Sequence, residues 1–327
     1  MSGGNTMRAL QLSKTGDTQT PNLSLQTLPK PAITPGHLLV KVHASAIQPS
    51  DLINAKGGFP STTYPRIPGR DFSGVIVDGA ANRIGQEVYG TSGNAQGFTV
   101  DGAQAEYILV PEDAVATKPR ALSFVQAATV GVPFTTAATV LKRSGAQQDD
   151  VVLILGANGA VGSAAVQLAK CKGCRVLEGS RHDNADVNTA KDPDLKTVDS
   201  LTAGKGVNVV IDTVGQPALT QAAIGKLAKG GTLVFISGPR TGARDLTFDM
   251  VDFYRLSKTI IGVNTLTQPA REFAKELQYM SEMFDSKLLT VSGNGGEKWA
   301  EMKLDDGVEA YEKAGQRGAG KFVIVME

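Results

Sequence analysis

The stretch Val151-Val152-Leu153-Ile154-Leu155-Gly156-Ala157-Asn158-Gly159-Ala160-Val161-Gly162 decides how this 327-residue chain folds. Five apolar residues, three of them β-branched, read as a strand buried on both faces. Three glycines then pass that strand into a helix expected to carry Val161, Ala165 and Leu168 on one side. In a turn of this kind Gly159 lets the main chain approach a pyrophosphate, and Gly162 lets the helix pack against the strand. The free N–H groups at the helix start add partial positive charge for the phosphates. Gly156, Asn158, Gly159, Ala160, Val161 and Gly162 are therefore the expected phosphate site of a dinucleotide. Ala157 stands where the commonest fingerprint has its first glycine.

Glycine also serves tight strand-to-helix connections for purely steric reasons, so the surroundings decide. Apolar runs follow at residues 175–179, 207–211, 232–236 and 259–263, separated by helical stretches such as 217–228. Strands alternating with helices imply a parallel, doubly wound sheet. The choice of dinucleotide is legible at the end of the second strand. There an acidic residue favours NAD, and a cationic one favours the 2′-phosphate of NADP. Ser180 and Arg181 occupy that tip, with no carboxylate before Asp183, while Glu178 lies earlier within the strand. NADPH is the expected cofactor, an ordinary solvated arginine being the alternative for Arg181.

The rest of the composition excludes more than it identifies. Lys and Arg number 33 against 32 Asp and Glu, a formal net charge of +1, which calls for neither nucleic acid nor an acidic membrane surface. Cys171 and Cys174 are the only cysteines. Their Cys-x-x-Cys spacing is half a zinc site at best, and both positions suit small buried hydrophobes. No run approaches 18 apolar residues and no secretory signal is recognisable, so a soluble, cytoplasmic protein with a disordered leader over residues 1–6 is expected.

Residues 1–130 are rich in short β runs (37–43, 72–77, 105–110) punctuated by Gly and Pro. Residues 126–142, rich in Ala and Thr, read as one helix bridging two domains. Beyond Thr265 the pattern predicts a helix over 269–284, a strand over 288–291, a glycine-rich loop over 293–296, a helix over 304–314 and a strand over 321–325.

Several motifs together resemble the medium-chain dehydrogenase/reductase superfamily and, within it, the zinc-free quinone oxidoreductase group. They are Ile47-Gln48-Pro49-Ser50-Asp51, Tyr64-Pro65-Arg66-Ile67-Pro68-Gly69-Arg70-Asp71-Phe72-Ser73-Gly74, Gly102-Ala103-Gln104-Ala105-Glu106-Tyr107, Gly131-Val132-Pro133-Phe134-Thr135-Thr136-Ala137, Val209-Val210-Ile211-Asp212-Thr213-Val214-Gly215 and Gly320-Lys321-Phe322-Val323. The resemblance implies an α/β chain: a GroES-like β-rich catalytic domain over 1–130 and 268–327, and a Rossmann domain over 131–267. Zinc members of the superfamily hold their catalytic metal at places that here read Gln48, Arg70 and Val132. An amide, a guanidinium and an aliphatic side chain do not make a zinc site, so no metal is expected.

Without a Lewis acid the alkoxide of a simple alcohol is hard to stabilise at neutral pH, and an electron-poor acceptor is needed instead. The expectation is NADPH-dependent hydride transfer to a quinone or related conjugated carbonyl. A 2-alkenal, enone or enoyl-thioester reductase is one alternative, and a nicotinamide-binding sensor or crystallin-like protein is another. By resemblance Gln48 and Thr136 are catalytic candidates, and Tyr64 joins them as the aromatic hydroxyl nearest the expected cleft, although the family's enoyl-thioester reductases carry their tyrosine several residues earlier, where this chain has Phe59 and Ser61. Thr213, Val214, Ile236, Ser237, Gly238, Val263, Asn264 and Lys321 join the cofactor site. A loop amide for Gln48 and Asn264, a helix cap for Thr136, a packed ring for Tyr64 and a solvated cation for Lys321 are the competing readings. The acceptor pocket is expected from residues 54–64, 93–101 and 249–255, bearing Phe59, Tyr64, Phe98, Phe253 and Tyr254. A homodimer through the sheet edge is expected from the apolar run 251–263.

Overall fold

The computed structural model describes residues 5–14, 20–291, 299–316 and 318–326. The chain divides into two compact units, one from both chain ends (up to Thr135 and again from Thr265) and the other spanning Thr136–Asn264.

The first unit opens with a hairpin, β1 (Thr6–Ser13) antiparallel to β2 (Asn22–Pro29), so Thr6 of the expected leader is already paired. Its main sheet is built on β3 (His37–Ala46), whose alternate residues Leu38, Val40, Val42, Ala44 and Ala46 are buried while Lys41 is exposed. Helix α1 (Pro49–Ala55) follows, then β4 (Phe72–Asp78), β5 (Glu87–Gly90), β6 (Tyr107–Pro111) and β7 (Ala116–Thr117). The expected single helix over 126–142 is two: α2 (Phe124–Ala127) and α3 (Gly131–Ser144). Thr129 Oγ1 donates to Gln126 O at 2.8 Å, which ends the first turn. The buried carboxylate of Asp71 accepts the Val132 N–H at 2.7 Å, starting the second helix in a new place.

The second unit holds β8 (Val151–Leu155), α4 (Ala160–Cys171), β9 (Arg175–Ser180), β10 (Val187–Asn188), α5 (Lys196–Leu201), β11 (Val207–Asp212), α6 (Pro217–Gly225), β12 (Leu227–Phe235), α7 (Met250–Arg255) and β13 (Thr259–Gly262). All six strands are parallel, in the order β10-β9-β8-β11-β12-β13. This is a Rossmann sheet, its order reversing between β8 and β11. Val152 to Leu155 are fully buried, as the apolar run implied. The packed face of α4 is Gly162, Ser163, Ala164, Ala165, Val166 and Ala169, whereas Val161 and Leu168 are only partly covered. Small residues let this helix lie close to the sheet, so its buried arc is wider than the three-residue stripe suggests. Cys171 is exposed rather than buried, and Cys174 is buried with its thiol donating to Gln147 O at 3.2 Å. The run 251–263 is not one strand. Asp249 caps α7 by accepting from Val251 N at 2.8 Å, which leaves only four residues for the edge strand β13.

The chain returns through α8 (Ala270–Asp285), which buries Phe273, Ala274, Leu277, Met280 and Phe284 at helical spacing. No strand follows at 288–291. Leu288 N and Leu289 N both donate to Met283 O at 2.9 and 3.2 Å, with Lys287 left-handed at φ 61°, so this segment is the cap of α8. The loop expected at 293–296 lies outside the described residues. A strand that the sequence pattern does not announce, β14 (Ala300–Lys303), precedes α9 (Gly307–Ala314) and runs parallel to β15 (Phe322–Val325). β15 pairs with β3, giving a sheet ordered β14-β15-β3-β4-β5-β7, with β6 also on β3. The core beneath it joins Leu10 and Phe72 to Leu304, Tyr311 and Ile324, so both ends of the chain complete one GroES-like domain. Among the described residues no helix is long and apolar enough to cross a membrane.

Candidate active site

Within the parallel sheet, the turns after β8, β9, β11, β12 and β13 share its carboxyl edge, where open α/β sheets collect their ligands. The turn after β8 takes its reversal at Gly156, left-handed at φ 79°, one residue before the fingerprint place held by Ala157. A side chain at Gly156 would strike Thr213, and one at Gly162 would strike the Gly156 carbonyl, so both are packing glycines. Gly159 differs. It is exposed, with φ −71° and ψ 166°, and a Cβ there would meet only Gly156 O at 3.2 Å. Gly159 caps α4, so the first-turn N–H groups of Ala160, Val161 and Gly162 have no partner within the helix. Thr213 bridges the two central strands by donating to Leu155 O at 2.8 Å. The fully buried Asp212 accepts the N–H groups of Val214 and Gly215 at 2.8 and 3.0 Å, fixing the loop that follows β11.

At the tip of β9, Ser180 is buried and its Oγ accepts the His182 N–H at 3.2 Å, while Arg181 is exposed. The nearby carboxylates are already engaged. Glu178 pairs with Lys170 at 2.8 Å, and Asp183 accepts from Asn188 at 2.9 Å and pairs with Lys191 at 2.7 Å. Ile236, Ser237, Gly238, Val263 and Asn264 follow β12 and β13 directly, Ser237, Gly238 and Asn264 being exposed. The turn therefore fits a dinucleotide: an approachable glycine, a helix N-terminus and a cationic tip.

In the GroES-like unit the residues that the resemblance sets at zinc-ligand places lie in a hydrogen-bonded cluster. Gln48 precedes α1 and is 1% exposed, with its N–H donating to Asp51 Oδ2 at 2.8 Å and its Nε2 to Asp71 Oδ2, also at 2.8 Å. Asp71 thus gathers Gln48 and Val132 N onto one buried carboxylate. Between these elements sits Arg70, 4% exposed. Its Nε donates to Ser92 Oγ at 2.8 Å and its Nη1 to Ser50 Oγ at 3.0 Å, and its guanidinium lies 5.8 Å from the Phe98 ring centroid. Asp71 Oδ1 and Thr91 Oγ1, both beside Gly131, are buried without a hydrogen bond of good geometry, although the hydroxyl is close enough to lower the carboxyl's pKa.

Burial dominates the titration here. It pushes Asp51 up to about 7 against the pull of Arg70, and Asp71 up to about 6 against Thr91 and Arg70. It also lowers the Arg70 guanidinium, which Asp51 and Asp71 partly restore. A raised carboxyl binds its proton more tightly in the folded chain. Its contribution to stability is therefore full below the unfolded pKa near 4 and is lost as pH rises through about 6 to 7. Asp51→Asn, which keeps an acceptor for Gln48 N–H, is expected to gain stability relative to wild type between pH 5 and pH 8, by at most about 1.4 kcal/mol per pH unit. Denaturant unfolding at the two pH values checks this, and parallel curves for the two proteins would refute it.

The other sequence candidates separate. Tyr64 is half-buried with its hydroxyl sealed and unbonded, its ring lies 4.8 Å from Lys14 Nζ, and burial raises its pKa. Thr136 is buried in α3. Lys321 immediately precedes β15, its Nζ 6.0 Å from the Trp299 ring centroid. Phe59 meets Phe98 edge-on at 5.1 Å, and Phe98 turns onto Arg70 instead of facing open space. A cavity of about 600 Å³ does border residues of the 93–101 loop, with Tyr107, Ile108 and Pro269 opposite, but no residue of 54–64 or 249–255 lines it. It is not the aromatic pocket expected from the sequence. Phe253 packs on the Rossmann core and on Phe248, while Tyr254 is exposed. Residues missed by the sequence reading are Ser50, Asp51, Asp71 and Ser92. The available signal was the clustering of charged residues inside two otherwise apolar or turn-forming motifs.

The donor set does not fit zinc: one position is filled by a cation, one by an amide whose nitrogen faces Asp71, and one by valine. Among the described residues no group of three His, Cys, Asp or Glu side chains converges.

Residues 34–120 match the alcohol dehydrogenase GroES-like domain, and residues 160–282 match the zinc-binding dehydrogenase family. A zinc-type alcohol dehydrogenase-like protein of Schizosaccharomyces pombe is 44% identical over 321 residues, covering 98% of this chain and 97% of the relative. A quinone oxidoreductase of Pongo abelii is 28% identical over 347 residues, 99% of each chain. The crystal structure of an alcohol dehydrogenase superfamily protein from Novosphingobium aromaticivorans superposes with a TM-score of 0.81 at 25% identity, covering 98% of this chain and 100% of the other. With both units matched in order and nearly the whole length shared with a 44% identical relative, the chain belongs to the medium-chain dehydrogenase/reductase superfamily and is an oxidoreductase of that family.

Proposed function

We propose that this chain is an NADPH-dependent, zinc-independent reductase of quinones or related conjugated carbonyls. The observation that carries the reading is Arg70, a buried guanidinium at a position where zinc members of the superfamily place a metal ligand. A guanidinium in that place gives a weaker hold on the localised charge of an alkoxide than a metal ion would, whereas a conjugated acceptor spreads its new charge over several atoms and needs only hydrogen-bond donors. Bound NADPH supplies the hydride. The chain's own residues orient and select: Gly159 and the N-terminus of α4 receive the pyrophosphate, and Ser180 and Arg181 receive the 2′-phosphate. The pairing of Glu178 with Lys170 and of Asp183 with Lys191 and Asn188 supports NADPH over NADH, because these carboxylates already have partners beside the cationic tip.

Steady-state assays with 1,4-naphthoquinone, a short 2-alkenal and a primary alcohol, with metal analysis of the same protein, test the reading. Quinone-dependent NADPH oxidation that survives exhaustive chelation is the expected result. Preference for the alkenal would move the assignment to an enone reductase. Chelator-sensitive alcohol oxidation, with stoichiometric zinc in the protein, would overturn it.

A further inference from the structure

Arg70 is satisfied in an unusual way for a buried cation. Buried arginines ordinarily meet a carboxylate through two parallel N–H bonds. Here Nε and Nη1 are spent on two neutral hydroxyls, Ser92 and Ser50, and among the described residues no carboxylate forms an ion pair with the group. Among the described residues its Nη2 has no acceptor, yet it is not among the sealed unpaired atoms. Asp51 and Asp71 act on it only through space. The fork is also held from three sides, by Ser50 at the first position-pair of α1, by Ser92 at the start of the 93–101 loop and by the Phe98 ring. Asn54 ties the same loop to α1 by donating to Gly97 O at 2.6 Å. A charge that is buried, clamped and left with unused donors is built to receive an oxygen from outside the protein.

We propose that Arg70 Nη2 binds the acceptor's oxygen and holds the negative charge that reduction places there. This rests on the reductase reading above. The acceptor gains a hydride with its electron pair at carbon, NADPH being oxidised to NADP⁺. The acceptor's π pair moves onto its oxygen as an enolate, and one proton from solvent completes the saturated carbonyl or, from a quinone, the keto tautomer that enolises to the hydroquinone. Arg70 takes no part in the covalent change. It lowers the energy of the oxyanion between the two transfers, as hydrogen-bond donors do at other developing oxyanions. The class of ligand follows: a flat, conjugated molecule with one oxygen that becomes, or already is, an anion.

The test uses the full-length protein. Arg70→Ala is expected to lower kcat/KM for naphthoquinone by about a hundredfold, with NADPH affinity unchanged by fluorescence titration. It should also weaken binding of 2-hydroxy-1,4-naphthoquinone, an anion at neutral pH, at least tenfold by calorimetry. Guanidinium ion should restore part of both, which no loss of packing would allow. A folded Arg70→Ala protein within threefold of wild type in both measurements overturns the assignment. If that variant does not fold, Ser50→Ala/Ser92→Ala keeps the charge and frees the fork. A rise in acceptor KM with NADPH affinity unchanged then supports the proposal, and an unchanged KM refutes it. Failure of the reductase reading is distinguishable: wild type would reduce no acceptor while still binding the anion through Arg70.

Discussion

Gly159→Val is expected to abolish binding of NADPH and NADH alike, a loss of more than about a hundredfold, while the protein stays folded. A Cβ at Gly159 meets only one backbone oxygen, at 3.2 Å, and φ −71° is open to any residue, so the branch asks the Gly156 carbonyl to give by only a few tenths of an ångström. What it fills is the space in front of the free N–H groups of α4, where a pyrophosphate would sit. Losing even two charge-assisted hydrogen bonds there costs about 3–6 kcal/mol. Gly162→Val is the informative contrast, because its Cβ would collide with the Gly156 backbone under the helix, and that variant should fail in stability. Fluorescence titration with each nucleotide, alongside thermal melts of both variants, checks the pair. Retained affinity in a folded Gly159→Val protein would mean that the phosphates lie elsewhere.

Arg181→Ala is expected to weaken NADPH about ten- to a hundredfold and leave NADH within about twofold. The selective loss corresponds to one charge-assisted contact to the 2′-phosphate, roughly 1.5–3 kcal/mol. Selectivity is the decisive quantity, since Arg181 is exposed and its removal disturbs no buried neighbour. Equal losses for both nucleotides would place the 2′-phosphate away from β9. An Arg181→Asp protein that gains NADH affinity would corroborate the tip as the discriminating point, given that Glu178 is already paired with Lys170.

Part of this protein is written in short-range pattern. The strand at 151–155, the glycine turn and the helix after it depend on residues within about ten positions of one another, and so do the strands at 175–180 and 207–212. Apolar period and glycine placement therefore identified the doubly wound sheet, its ligand-bearing edge and the residue types at the β9 tip. The GroES-like half was less legible. Its core depends on Leu304, Tyr311 and Ile324 meeting Leu10 and Phe72, and its strand β14 has no β-branched residue, existing because β15 offers it a partner. Helix limits depart from the apolar periodicity where a polar side chain intervenes, as Thr129 does at α2 and Asp71 at α3.

Composition and motif determined that this chain has a nucleotide-binding sheet and a cationic β9 tip, and that Gln48, Arg70 and Val132 stand where the resemblance implies zinc ligands. Only tertiary structure decided what stands in that place. Gln48, Ser50, Asp51, Arg70, Asp71, Ser92 and Val132 come from four separate segments, and no local periodicity records that they meet. Their chemistry arises from the meeting: removal from water drives the two carboxyls upward, and two serines clamp the guanidinium while leaving one nitrogen unspent. Desolvation and hydrogen-bond accounting are properties of the packed interior, so they become readable only once the chain has folded.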